Sequence, residues 1–83
     1  MRKEDVWAVD SERIAVFFRE LPDAAPTESG FAFPGCRVAV TALVPRRMAG
    51  LALPQTRVVF EGEAATVSAV YRLFLLRFLS AGG

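Results

Sequence analysis

The middle of the chain holds the residues best suited to binding an anion. Residues 29–60 contain four arginines and no acidic residue, whereas residues 1–28 contain seven acidic and four basic residues. Arginine recognises phosphate through paired N–H donors, and phosphate contacts supply most of the affinity of non-specific nucleic-acid binding. The candidate contacts for an anion or a nucleic acid are Arg37, Arg46, Arg47 and Arg57.

Two readings of this basic block stay open. Phe31 and Phe33 come just before it and could stack on bases, which favours a nucleic-acid-binding domain. Alternatively, the two phenylalanines cover the edge of the core. In that case the acidic N-terminal part packs beside the basic middle, within one chain or across a dimer.

Few residues in this chain could carry out catalysis. The sequence has no histidine, so the commonest general base and metal ligand is missing. Its single cysteine, Cys36, is predicted to be a small core residue. Glu61 and Glu63 flank Gly62 without the further ligands that a cation needs, and no glycine-rich phosphate loop is present. The sequence therefore predicts no catalytic, cofactor-binding or metal-binding residues, and a protein that is not an enzyme.

The most informative element is the predicted C-terminal helix, over about residues 63–79. At 100° per residue, one broad apolar stripe contains Val67, Val70, Tyr71, Phe74, Leu75 and Phe78, and the opposite side contains Leu73, Leu76 and Leu79. A surface helix of a small monomer needs only one apolar stripe, and a helix that is apolar all round is normally buried on two sides. The three leucines are therefore the candidate interface with a second subunit or another protein.

Strand patterns precede this helix. Residues 36–44 alternate, with Cys36, Val38 and Val40 on one face, and Pro45 is expected to end that strand. Residues 45–50 are predicted to form one helical turn, and residues 56–61 a second strand. Residues 22–35 have the proline and glycine content of a loop.

The N-terminal part is ambiguous between a helix and a hairpin over residues 4–21. As a helix it is amphipathic and ends at Pro22. As a hairpin it turns at Asp10–Ser11, and its β-branched and aromatic residues over 13–20 favour the strand.

Either reading gives a single α+β domain over residues 1–83, with two layers. We expect a three- to four-stranded antiparallel sheet packed by the C-terminal helix. Ala39, Leu43 and Val59 make the outer face of that sheet half apolar, which is a second indication of association.

Location and source are weaker inferences. Met1–Lys3 is followed by acidic residues rather than an apolar segment, and Arg72 and Arg77 interrupt the short apolar stretch 67–79. A cytoplasmic protein with no membrane partner is therefore expected. Nine of the ten basic residues are arginine and asparagine is absent, which fits a thermophilic source or a GC-rich genome.

Together these patterns favour a small non-enzymatic module that homodimerises or docks on a partner protein, since dimers are the commonest oligomers. The alternative is a domain that binds a nucleic acid or another anion through the arginines of residues 37–57.

Overall fold

The computed structural model describes residues 1–82, with side chains described through Leu79. The elements, in chain order, are β1 (Arg2–Trp7), α1 (Ser11–Arg19), β2 (Ala25–Pro26), β3 (Gly30–Phe33), β4 (Cys36–Met48), β5 (Leu51–Gly62) and α2 (Ala64–Gly82). The strands form an antiparallel sheet in the order β1-β5-β4-β3-β2. The α+β class is confirmed, but the sheet has five strands instead of three or four.

The N-terminal part forms one strand and one helix, so neither reading holds over all of residues 4–21. The helix reading is right for Ser11–Arg19, whereas the strand over 13–20 and the hairpin at Asp10–Ser11 are wrong. Asp10 is the N-cap of α1, where its carboxylate accepts a hydrogen bond from the Glu12 N–H at 3.3 Å. A capping aspartate satisfies an N–H group that has no partner inside the helix. Ile14 and Phe18 are spaced by one helical turn and are both fully buried, which outweighs the β propensity of this segment.

The predicted loop over residues 22–35 contains the two extra strands, β2 and β3. Thr27 and Gly30 close the turn between them, because the Thr27 N–H donates to the Gly30 carbonyl oxygen at 2.9 Å. The Thr27 hydroxyl oxygen also accepts a hydrogen bond from the Gly30 N–H at 3.0 Å. Phe31, on β3, is buried and joins the core.

Strands β4 and β5 form a long hairpin, so the prediction that Pro45 ends the first strand is wrong. Leu43 pairs with Gln55 and Arg46 pairs with Leu53, which leaves Val44 and Pro45 opposite Pro54. This is a β-bulge, where the ladder is already interrupted and prolines are tolerated.

The predicted helical turn over residues 45–50 is also wrong, and β5 begins before residue 56. Met48 pairs with Leu51, and Ala49 and Gly50 between them have φ values of +49° and +82°. Two positive φ values are typical of a type I′ turn, whose twist matches that of a hairpin.

Helix α2 begins one residue later than predicted and extends to Gly82, three residues beyond Leu79. The chain reaches it through Gly62, whose φ is +148°. A Cβ atom there would collide with the Gly35 carbonyl oxygen, so only glycine fits. Glu63 directly precedes the helix and anchors it, because its N–H donates to Gly35 O at 2.9 Å and its carbonyl accepts from the Val67 N–H at 2.8 Å.

Both helices pack against the same face of the sheet. The predicted apolar stripe of α2 is confirmed, since Val67, Val70, Phe74 and Phe78 are buried. Phe18 of α1 stacks on Phe74 with a centroid distance of 5.5 Å and an interplanar angle of 3°. The buried apolar cluster consists of Ile14, Phe18, Phe31, Cys36, Val38, Val58, Phe60, Val67, Val70, Phe74 and Phe78.

Candidate interaction surfaces

The side of α2 that faces away from the sheet is a surface of leucines. Leu73, Leu76 and Leu79 are 46%, 58% and 60% exposed, and we call them the outer leucine face. α1 contacts the other side of α2, through the pairs Phe18–Phe74 and Phe17–Phe78. The outer leucine face is therefore left uncovered by the residues that the structure describes.

The neighbours of the outer leucine face are small or lie at its margin. Ala65 and Ala69 precede the leucines at helical spacing and are exposed. Arg72 is exposed beside them, and the Arg77 guanidinium lies over the Phe78 ring at 5.2 Å from its centroid. Residues 64–82 contain no acidic residue, and within residues 1–82 neither arginine forms an ion pair.

A shallow groove between β1 and α2 continues from the outer leucine face. Its lining consists of Asp5, Val6, Trp7, Tyr71, Leu75 and Leu79. We call it the β1–α2 groove. Sequence reasoning missed it because the N-terminal segment stayed open between a helix and a hairpin, and its pairing with β5 was not predicted.

One hydrogen bond ties the two elements of the β1–α2 groove together. The Tyr71 hydroxyl donates to Asp5 Oδ2 at 2.7 Å, and the Lys3 ammonium lies 4.8 Å from the Tyr71 ring centroid. The pKa of Tyr71 is raised from its ordinary value by the hydrogen bond to Asp5, then by burial and by the Asp5 charge. Trp7 Nε1 is buried nearby without a hydrogen-bond partner in the described part of the chain.

The four candidate arginines do not form one cluster. The register of β4 and β5 places Arg37, Arg57 and Arg46 on the face of the sheet without helices, and Arg47 on the other face. Arg37 and Arg46 are nine residues apart on β4, roughly 30 Å at about 3.3 Å per residue. The arginines of this sequence block are therefore spread along the hairpin and over both faces of the sheet.

Acidic residues accompany the arginines on the body of the sheet. Arg57 Nε lies 3.4 Å from Glu4 Oε2, and Arg37 lies opposite Glu61 in the register of the strands. Arg2, which was not predicted, contacts both Glu4 and Glu61 on this face. Arg46 and Arg47 differ, because they lie opposite Leu53 and Ala52 in the register, and within residues 1–82 neither forms an ion pair.

Arg46 and Arg47 lie on the distal part of the β4–β5 hairpin, which we call the arm (residues 44–54). Every residue of the arm is exposed, including Val44, Met48, Leu51 and Leu53. A sequence signal for the arm existed in the apolar residues that alternate on both sides of Ala49–Gly50, since a two-residue loop ending in glycine is typical of hairpins.

The remaining residues with reactive groups have structural positions. Cys36 is 3% exposed, and burial raises the pKa of its thiol, which makes it a poor nucleophile. Phe31 is buried in the core, so its ring offers no free face for a base. Among the residues described, no group of three or more acidic or cysteine side chains is placed to hold a metal ion.

Comparison of the sequence with family models and with curated proteins finds no match. Over the described residues, neither helix is long and apolar enough to cross a membrane. The surfaces themselves are therefore the basis for assigning a function.

Proposed function

We propose that this protein is a non-enzymatic interaction module that homodimerises through the outer leucine face of α2. The observation that carries the proposal is the exposure of Leu73, Leu76 and Leu79 on a helix whose other side is already buried in the core. Contiguous apolar patches on small proteins commonly mark sites of association.

A second copy of the chain fits this apolar face better than a strongly acidic partner would. In a two-fold antiparallel packing of two α2 helices, Leu73 of one copy meets Leu76 of the other, and the reverse contact follows by symmetry. Apolar side chains are complementary to themselves, whereas charged ones are not. Arg72 and Arg77 then lie towards the margin of the contact, where they stay hydrated.

The β1–α2 groove extends the same interface. Leu79 belongs to both surfaces, and Leu75 lines the groove beside it. The apolar area available to a partner is therefore larger than the three leucines alone, which matters because association costs at least about 4 kcal/mol of lost rigid-body freedom.

The test is molar mass by light scattering after size exclusion, at micromolar concentration. The chain mass is 9.1 kDa, and we expect twice that value. Leu73→Ser with Leu76→Ser removes four half-exposed leucines per dimer, about 1 kcal/mol each and about a thousandfold in the dissociation constant.

The matched control for that variant is Leu51→Ser with Leu53→Ser, which removes two exposed leucines from the arm instead. We expect this control to remain dimeric. A monomeric parent chain, or a double α2 variant with unchanged mass, would contradict the proposal.

A second candidate function is the binding of a nucleic acid or another anion on the helix-free face of the sheet. The observation that favours it is the placement of Arg2, Arg37, Arg46 and Arg57 on that one face, with Glu4 and Glu61 as its acids. RNA and single-stranded DNA are the probes, at low and moderate salt. Affinity must fall as salt rises and fall further in Arg37→Gln with Arg57→Gln, and absence of binding at low salt contradicts this candidate.

A further inference from the structure

The arm is exposed along its whole length. Thr56 is the first buried residue of β5 after the arm. Leu51, near the tip, lies five residues before Thr56, which is roughly 17 Å at about 3.3 Å per residue. Val44 is 85% exposed and Leu51 66%. The arm is thus a two-stranded ribbon that presents large apolar side chains to the surroundings without a core of its own, an arrangement that calls for a partner.

Each face of the arm carries apolar side chains together with one arginine. Met48, Leu51 and Leu53 lie on the helix-free side, because they pair with one another and with Arg46 in the register of the hairpin. Ala52 and Pro54 lie on the other side. A flat protein surface can cover one face of a ribbon, whereas a lipid interface surrounds an inserted element on every side.

The two cations of the arm also point to opposite sides. Arg47 is one residue behind the tip pair Met48–Leu51 and Arg46 is two residues behind it, which is roughly 3 to 7 Å along the strand. Elements that bind at a membrane surface bury their apolar groups about 5–10 Å into the boundary of headgroups and acyl chains. At that depth each guanidinium reaches the headgroup phosphates on its own side.

The charge distribution favours an anionic surface. Residues 29–60 contain no acidic residue, so no carboxylate of β4 or of the arm is repelled by anionic lipid. Neither Arg46 nor Arg47 is engaged in an ion pair within residues 1–82.

Two other kinds of partner fit the arm less well. Pro45 and Pro54 remove an N–H group from each of its strands, which opposes the addition of a strand from another protein. For a nucleic acid, the arm offers two cations but no aromatic side chain on which a base could stack.

We propose that the tip of the arm inserts into the surface of membranes that contain anionic phospholipid, with Met48 and Leu51 as the inserted residues and Arg46 and Arg47 as the headgroup contacts. This contact involves no membrane-crossing helix, and it is independent of dimerisation through α2.

The test is co-sedimentation with phosphatidylcholine vesicles that either contain or lack phosphatidylglycerol. We expect binding to the vesicles that contain phosphatidylglycerol. Met48→Ser with Leu51→Ser should weaken it by about a hundredfold, and Arg46→Gln with Arg47→Gln by about thirtyfold.

The matched control is Val16→Ser, which removes an exposed apolar side chain from α1, outside both the arm and α2, and should keep vesicle binding. Far-UV circular dichroism of all variants checks that they fold, which exposed substitutions should not prevent. Several results would overturn the proposal: no binding to either vesicle, equal binding by the arm variants, binding to RNA or DNA through the arm, or a loss of molar mass as the only effect of the arm variants.

Insertion is separated from adsorption by a label at the tip. Cys36 is the single cysteine and is buried, so Leu51→Cys supplies the accessible thiol for a polarity-sensitive fluorophore. A blue shift on addition of phosphatidylglycerol vesicles is expected, and an unchanged spectrum in the bound state would refute insertion.

Discussion

Replacing Phe74 by alanine should remove a large part of the stability of this domain. Phe74 is fully buried, and its ring lies 4.9–5.6 Å from the rings of Trp7, Phe18, Phe60 and Phe78. A buried Phe→Ala substitution costs about 3–5 kcal/mol. A chain of 83 residues has a total stability of roughly 4–12 kcal/mol.

The assay is urea denaturation followed by circular dichroism at low protein concentration. With an m value of about 1 kcal/mol/M for a small domain, the midpoint of Phe74→Ala should fall by about 3 M or more. The matched control is Leu76→Ala, two residues along the same helix and 58% exposed. It should change the free energy of unfolding by less than about 0.5 kcal/mol when the chain is monomeric.

This pair of variants tests the assignment of the two sides of α2 directly. If Leu76→Ala lowers the midpoint as far as Phe74→Ala at the lowest concentration, the outer leucine face is part of the core. That result would also refute the proposed dimer interface. A Leu76→Ala effect that appears only as protein concentration rises would instead agree with an interface between copies.

The remaining predictions concern a titrating group and a turn. Because the folded chain raises the pKa of Tyr71 above its ordinary value of 10.0, the unfolded chain loses that proton first. The contribution of Tyr71 to stability should therefore be complete below about pH 10 and fall as pH rises through the folded pKa. Tyr71→Phe should remove this contribution in denaturation experiments and leave the alkaline loss that comes from the buried Cys36 thiol; an unchanged slope would argue against the hydrogen bond to Asp5. Ala49 has a φ of +49°, which is unfavourable for alanine, so Ala49→Asn should stabilise the turn before Gly50 by about 0.5–1 kcal/mol. Slower amide hydrogen exchange in the arm is the expected readout, and faster exchange would contradict the type I′ assignment.

The N-terminal segment shows where local preference is insufficient. Residues 13–20 contain β-branched and aromatic side chains that favour a strand, yet they form most of α1. The reason is that Asp10 caps the helix and that Ile14 and Phe18, one turn apart, both reach the core. Propensity differences of a few tenths of a kcal/mol per residue are smaller than the burial of two large side chains.

Pro45 shows a second limit. In isolation a proline is a good signal for the end of a strand, but it lies here opposite Pro54 within a bulge. A bulge depends on both strands of the pair, so a single strand gives no indication of it. The arm, and with it the exposed positions of Arg46 and Arg47, follows from that pairing.

The sequence by itself determined the two-sided character of α2 and the alternation of Cys36, Val38 and Val40. Both are periodic patterns of neighbouring residues, and the helix and strand geometries that they reveal are local. Only the tertiary structure decided that β1 lies next to β5, that Arg37 and Arg46 lie far apart, and that the arm extends beyond the core. Those features depend on strand order and register, which are fixed by contacts between residues distant in the chain.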